Sequence, residues 1–223
     1  GKRWGVNITY IPQNAPLGLA HCVLIAREFL GDDQFVMFLG DNVIQGGISP
    51  LIKEFADNLE WNSQIVLTPV EHPERYGVVE FDSEFRVISL EEKPPQPRSH
   101  YAVTGLYFYD GRAPELASGL KPSNRGELEI TDLNRLYLDA GALSVERLGR
   151  GYAWLDTGTH QSLQEASSFI ETIENRQGLK IACPEEIAYL SGWIDADQVR
   201  RLAEPLLKSG YGDYLVELLK RGA

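Results

Sequence analysis

Two apolar runs in this sequence each end on an aspartate beside a glycine. One is VMFLGDN, residues 36–42, and the other is YAWLDTG, residues 152–158. Asp and Gly are turn residues, so one reading of Asp41 and Asp156 is punctuation. The other is chemical. Two carboxylates carried to strand ends form a hard oxygen site suited to Mg²⁺, an ion that keeps waters and substrate phosphates as further ligands. Three cationic or polar stretches could serve the same site. Lys93 ends a strand-like run in SLEEKPPQP and could meet a phosphate as a point charge, or could pair with Glu91 or Glu92 at a solvated edge. Arg125 and Glu127 lie in RGELEITD, on a loop leading into a helix. An arginine there suits a phosphate, or is an ordinary surface charge. QNAPLGLAH places Gly18 before a helix N-terminus, with Gln13 able to donate and accept along a flat base. It matches neither glycine-rich phosphate fingerprint.

The elements that must position these residues alternate. Residues 7–12 read as a short strand, 19–30 as a helix, 34–39 as a strand buried on both faces, 49–60 as an amphipathic helix with Ser49 as N-cap, and 63–70 as a strand. This order argues for an α/β sheet with parallel crossovers, and ligands in such sheets bind at the carboxyl ends of strands. YGVVEFD and FRVISLEEKP read as a hairpin across DSEF. Further strands are expected at 101–110, in LSVERLG and in YAWLD. Helices are expected over 130–141, capped by Thr131 or Asp132, and over 160–178. The remainder is mostly helical. The division is therefore an α/β core over 1–160 and a helical part over 161–223.

With 223 residues and 43% apolar content, the chain can bury a useful core. Its net charge of −11 gives no broad basic footprint, so nucleic acid is not an expected partner. Cys22 and Cys183 form neither a metal spacing nor a disulfide framework, which points to the reducing cytoplasm. No apolar run approaches the ~18 residues of a membrane span, and no signal peptide is visible. The four histidines show no metal spacing. Trp154, Tyr101, Tyr107 and Tyr109 alternate along strands and read as core.

Taken together, PLGLA, LGDN, PERYGVVEFD, SLEEKP, YAVTGLYFYD, RGELEITDLNR, GRGYAWLDTGTH and IENRQGLKIACPEEIA cover nearly the whole chain in order. In these stretches the sequence resembles the glucose-1-phosphate thymidylyltransferases, a branch of the sugar nucleotidyltransferases. The resemblance implies a Rossmann-like mixed sheet of the nucleotidyltransferase type and a Mg²⁺-dependent cytoplasmic enzyme of deoxysugar pathways such as dTDP-rhamnose. That enzyme joins dTTP and glucose 1-phosphate to give dTDP-glucose and pyrophosphate. The resemblance further implies that Asp41 and Asp156 hold Mg²⁺, and that Gln13 and Gly18 contact the thymine. Asn42, Gly77, Glu92, Lys93 and Val103 would surround the sugar or its phosphate, Arg125 would add positive charge there, and the helical part would take part in tetramer contacts.

The family's opening strand and its glycine-rich loop of the G-G-x-G-T-R-L type are not in the sequence. The expectation is a chain that begins inside the fold, nearly inactive and less stable as it stands, with strands 7–12 and 34–39 lacking a shared neighbour. An inactive sugar-nucleotide-binding fragment is the alternative reading. A metal-dependent glycosyltransferase of similar architecture is another; it would carry a D-x-D pair, and GDN lacks the second acid. QNAP in place of Gln-Pro-Ser-Pro, and Leu17 where an acid is common, are departures flanking the base site.

Overall fold

The computed structural model describes residues 1–58 and 62–221. Two compact units emerge: Ile11–Ala166, and Gly1–Tyr10 together with Ser167–Ala223.

The larger unit is built on a six-stranded mixed sheet. In chain order its elements are α1 (Leu19–Ile25), α2 (Arg27–Leu30), β1 (Phe35–Phe38), β2 (Asn42–Gln45), α3 (Ser49–Asp57), β3 (Ser63–Pro69), β4 (Gly77–Phe81), β5 (Val87–Glu92), β6 (Tyr101–Tyr109), α4 (Ala113–Ser118), α5 (Ile130–Asp139), β7 (Leu143–Arg147) and β8 (Ala153–Asp156), followed by the first turns of α6 (His160–Gln177). The sheet runs β5-β4-β6-β3-β7, with β1 paired to β6 as well.

β6 is the spine. One edge pairs with β3 along its length, from Ser63↔Tyr109 to Pro69↔Tyr101. The other edge is shared. β4 pairs near its start, Val78↔Ala102, and β1 pairs at its end, Phe35↔Tyr109 to Phe38↔Leu106. Residues 103–105 lie between these two pairings, and a crevice opens there. β2 and β8 form a separate two-stranded antiparallel ribbon with Asn42 opposite Asp156.

The continuous apolar run of β6 follows from burial on both faces. Val103, Tyr107 and Tyr109 pack with Ala20 and Val23 of α1, Ala113 and Ala117 of α4, and Leu133 and Tyr137 of α5. Leu106 and Phe108 pack with Leu51 and Phe55 of α3, with Ile44 and Trp154 of the ribbon against them.

The hairpin β4–β5 forms as its alternating pattern predicts, and Asp82 Oδ1 closes its turn by accepting the backbone N–H groups of Glu84 and Arg86 at 2.8 and 2.9 Å. Several local expectations are corrected. Residues 7–12 form no strand, and residues 2–4 form a short 3₁₀ turn instead. The helix expected over 19–30 is interrupted at Ala26. Ser49 and Thr131 lie inside their helices; the N-cap positions are Ile48 and Glu129, neither with a side-chain cap. Residues 59–60 of the expected helix over 49–60 lie outside the described residues. The crossovers expected from strand 34–39 into 63–70 are not parallel neighbours: β1 and β3 both run antiparallel to β6, and the parallel pairing is β3 with β7. β1 is not buried on both faces as expected: Val36 and Phe38 are exposed on one side of it, so hydropathy marks a strand and leaves its burial and its partner to long-range packing.

The smaller unit holds the rest of α6 with α7 (Pro184–Leu190), α8 (Ala196–Ala203) and α9 (Gly210–Arg221). Its core is Cys183, Val199, Ala203 and Leu215. Asp195 caps α8 by accepting Gln198 N at 2.7 Å. Trp4 joins this unit through its indole N–H, which donates to the buried Glu185 at 3.2 Å.

Candidate active site

A cavity of about 340 Å³ opens at the split edge of β6, in the larger unit. Eight of the ten residues selected from sequence line it: Asp41, Asn42, Gly77, Glu92, Lys93, Val103, Arg125 and Asp156. Asp41 stands in the turn between β1 and β2, and Asp156 closes β8. They come together through the ribbon, not at the carboxyl ends of neighbouring parallel strands. The Thr157 N–H and hydroxyl each donate to Asp41 O at 2.8 Å, which ties the two turns to each other.

The two carboxylates are only partly used inside the protein. Asp41 Oδ1 accepts Asn42 Nδ2 at 2.8 Å, and Asp156 Oδ1 accepts Gly158 N at 3.0 Å. Among the described residues neither has an ion-pair partner. The same residues hold no cluster of three or more His, Cys, Asp or Glu arranged for a metal. Two uncompensated carboxylates fit a hard divalent ion that draws its remaining ligands from water and phosphate oxygens.

The cationic residues are differently placed. Arg125 Nη2 donates to both oxygens of Glu129 at 2.9 Å, and its Nε reaches Oε1 at 3.2 Å. Glu127 and Glu92 add ion pairs to Nη2 at 3.4 and 3.7 Å. Glu129 is 7% exposed and also accepts the Ser123 hydroxyl at 2.7 Å. The carboxylate of Glu129 holds the Arg125 guanidinium above its usual range, with Glu127 and Glu92 adding to the effect. Arg125 Nη1 makes no hydrogen bond among the described residues. Lys93 Nζ sits 3.8 Å from Glu92, one of the two pairings open from the sequence, and it also lines the cavity. Its backbone is left-handed, φ 44°, an unusual conformation for a residue with a Cβ.

Glu92 is oriented by Thr131, whose hydroxyl donates to Oε2 at 2.6 Å. A Cβ at Gly77 would lie 3.1 Å from that same Thr131 hydroxyl, so glycine keeps this part of the cavity open.

Gln13 and Gly18 do not line the cavity. Gln13 Nε2 reaches Gly18 O at 3.3 Å and His21 Nδ1 at 3.0 Å. Gly18, at φ 98°, lies against the backbone of Leu128, where a Cβ would meet the carbonyl oxygen at 2.4 Å.

Sequence reasoning missed several lining residues. Trp154 and Tyr107 read as core, and they do pack, but both also face the cavity. A signal existed for Trp154: it is two residues from Asp156 on a strand and so shares its face. Tyr76 directly precedes Gly77 and stacks edge-on against Trp154 at 5.0 Å. Burial, opposed by Arg75 and reinforced by the negative charge of Asp156, pushes the Tyr76 phenol up. Gly105 and Thr131 gave no signal of their own.

The chain matches the nucleotidyl transferase family over residues 1–173. A glucose-1-phosphate thymidylyltransferase of Xanthomonas campestris pv. campestris is 60% identical over 224 residues, spanning 100% of this chain and 76% of that protein. One from Neisseria meningitidis is 51% identical, spanning 99% and 77%. Among solved structures, a Bacillus anthracis protein assigned as a glucose-1-phosphate thymidylyltransferase and crystallised with sucrose superposes with TM-score 0.69 at 40% identity, over 75% of this chain and 67% of that one. A UDP-glucose pyrophosphorylase with UDP-glucose superposes at 0.66 and 22% identity, over 74% and 66%, a likeness of fold. The chain belongs to the nucleotidyl transferase family, in its glucose-1-phosphate thymidylyltransferase branch.

Proposed function

We propose that this chain catalyses thymidylyl transfer from dTTP to glucose 1-phosphate, giving dTDP-glucose and pyrophosphate, as its relatives are named for doing. The observation that carries the proposal is the convergence of Asp41, Asp156, Lys93, Arg125 and Glu92 on one cavity in a chain 60% identical, over its full length, to such an enzyme. The sugar phosphate oxygen attacks the α-phosphorus of dTTP. A new phosphorus–oxygen bond forms and the bond to the pyrophosphate oxygen breaks. Such transfers rest on alignment and charge neutralisation more than on covalent chemistry by the protein.

Asp41 and Asp156 would hold the divalent ion, Mg²⁺ on this reading, which would supply positive charge to offset that of the nucleotide phosphates. Lys93 and the free Nη1 of Arg125 meet the sugar phosphate. Glu92, held by Thr131, accepts from sugar hydroxyls. Gly77 and Val103 shape the space around the ring, and the remaining Nδ2 hydrogen of Asn42 is available to it. Gln13 and Gly18, adjacent to each other, meet the thymine. The reading extends to a cytoplasmic homo-tetramer in deoxysugar biosynthesis. Among the described residues no helix is long and apolar enough to cross a membrane.

The test is pyrophosphate release from glucose 1-phosphate with dTTP, UTP, ATP and GTP in turn, with equilibrium binding of dTDP-glucose as a second readout. The proposal expects dTTP to lead and dTDP-glucose to bind. A preference for ATP or GTP, or no binding of dTDP-glucose, would overturn it.

A further inference from the structure

Asn42 is buried, with 9% of its surface exposed, and its amide is almost fully used inside the protein. Oδ1 accepts the Trp154 indole N–H at 2.6 Å and the Gly105 backbone N–H at 3.0 Å. Two donors aimed at one oxygen fix the orientation of the amide. Nδ2 therefore faces Asp41 and donates to its Oδ1 at 2.8 Å. These partners belong to three separate pieces of structure: the turn before β2, the middle of β6, and β8.

The ribbon β2–β8 begins directly after Asp41 and ends on Asp156, and among the described residues it has no strand pairing to the six-stranded sheet. A two-stranded ribbon is marginal by itself in water, so its placement depends on side-chain contacts together with the turn from β1, where Leu39 N donates to Gly105 O at 2.9 Å. The bond from Asn42 to Gly105 N joins ribbon to spine at the crevice. Gly105 is shaped for that bond. Its φ is outside the left-handed region, so the backbone does not demand glycine; but a Cβ would lie 2.6 Å from Asn42 Oδ1 and 2.7 Å from its Cγ and Nδ2. Glycine is needed at 105 because the Asn42 amide occupies the place of a side chain.

We infer that Asn42 is a positioning residue for the metal-holding carboxylates: it ties the ribbon to β6 and fixes Asp41 through Oδ1, leaving Oδ2 as the free ligand oxygen. The inference rests on the metal role proposed above for Asp41 and Asp156. It is distinct from a sugar contact by Asn42, which would act on substrate affinity alone. Groups that orient metal ligands commonly change metal affinity roughly 10–100-fold when removed.

The experiment titrates Mn²⁺ alone into the chain, following the free-ion EPR signal, for the wild type, Asn42→Ala, Gly105→Ala and Asp156→Asn. Glucose 1-phosphate binding without metal is measured by calorimetry on the same samples. Asn42→Ala and Gly105→Ala are each expected to weaken Mn²⁺ binding by roughly 10–100-fold. Glucose 1-phosphate affinity should fall by less than Mn²⁺ affinity in both variants, because one Nδ2 hydrogen is the most that either takes from the sugar. Gly105→Ala keeps every group that could touch ion or sugar and displaces only the amide, so it carries the test if Asn42→Ala does not fold. Mn²⁺ affinity within about threefold of wild type in folded Gly105→Ala would overturn the positioning role. A loss confined to glucose 1-phosphate affinity would overturn it too, making Asn42 a sugar ligand only. Mn²⁺ binding that survives Asp156→Asn unchanged would instead sink the metal reading, and the positioning role with it.

Discussion

Asp41 directly precedes a two-stranded ribbon and Asp156 ends it, and neither has a cation paired to it among the described residues. Glu92, Glu127 and Glu129 line the same cavity, and all three gather on Arg125. The residue types are the same and their electrostatic states are opposite. The glutamates carry their own counter-charge, so an arriving anion meets an arginine already braced by Glu129. The aspartates carry none, so their cation must come from solution. Five carboxylates face three cations, Arg75, Lys93 and Arg125, around this cavity. The imbalance suits a divalent ion arriving before or with a polyphosphate. The smaller unit shows a third state. Glu185 is buried with neutral donors, Tyr211 OH at 2.6 Å and the Trp4 indole, and faces no ligand.

Removing charge from the ribbon should give the largest effect. Asp156→Asn keeps size and the Gly158 contact while halving the metal-binding charge, and turnover should fall by roughly 10²–10³. Thermal unfolding should hardly move, because no ion pair is lost. Normal turnover in this variant would return Asp156 to a simple turn residue.

Glu129→Gln tests the other region. An amide offers one acceptor oxygen where the carboxylate offers two, so the forked contact with Arg125 breaks. The KM for glucose 1-phosphate should rise about tenfold, with kcat changed less, and urea unfolding should show a loss of about 1–2 kcal/mol. An unchanged KM would mean that Arg125 needs no brace.

The smallest functional effect belongs to the smaller unit. Tyr211→Phe removes a hydroxyl that donates to Glu185 and contacts Cys183 Sγ at 3.0 Å. Burial alone raises the Glu185 carboxyl, but the Tyr211 and Trp4 contacts outweigh it and hold the group below its usual range. With a depressed folded value, Glu185 contributes stability that is present above the unfolded carboxylate range and lost as pH falls through the folded one. Tyr211→Phe should therefore cost about 1.5 kcal/mol at neutral pH, less in acid, with turnover unchanged. A turnover loss beyond the stability loss would show that the buried glutamate does more than close its own core.

Asp41 and Asp156 were legible because each breaks an apolar run with a charge, a local event. Lys93 and Arg125 were half legible: their spacing fits both an edge charge and a phosphate contact, and each makes a carboxylate pair while lining the cavity. Period-two alternation found β4 and β5, and the strand expected over 101–110 is β6. It could not say that β1 and β4 share one edge of β6, because that arrangement depends on where each strand stops along a partner distant in the chain. The ribbon was illegible for the same reason: Asn42 and Trp154 meet across 112 residues. Residues 7–12 have strand-forming types, yet Ile8 and Tyr10 are exposed and among the described residues no neighbouring strand pairs with them.

Lys93 holds its left-handed backbone between the hairpin and PPQP, with its N–H donated to Tyr76 O at 3.0 Å. For a residue with a Cβ that conformation costs of order 1 kcal/mol, and glycine would adopt it freely. A lineage selected for heat resistance alone would drift to glycine at this position, and a laboratory screen for thermostable variants should recover Lys93→Gly early. Such a variant would be tougher and would lack a cation at the cavity. The position is a built-in trade-off between durability and chemistry, written in one backbone angle.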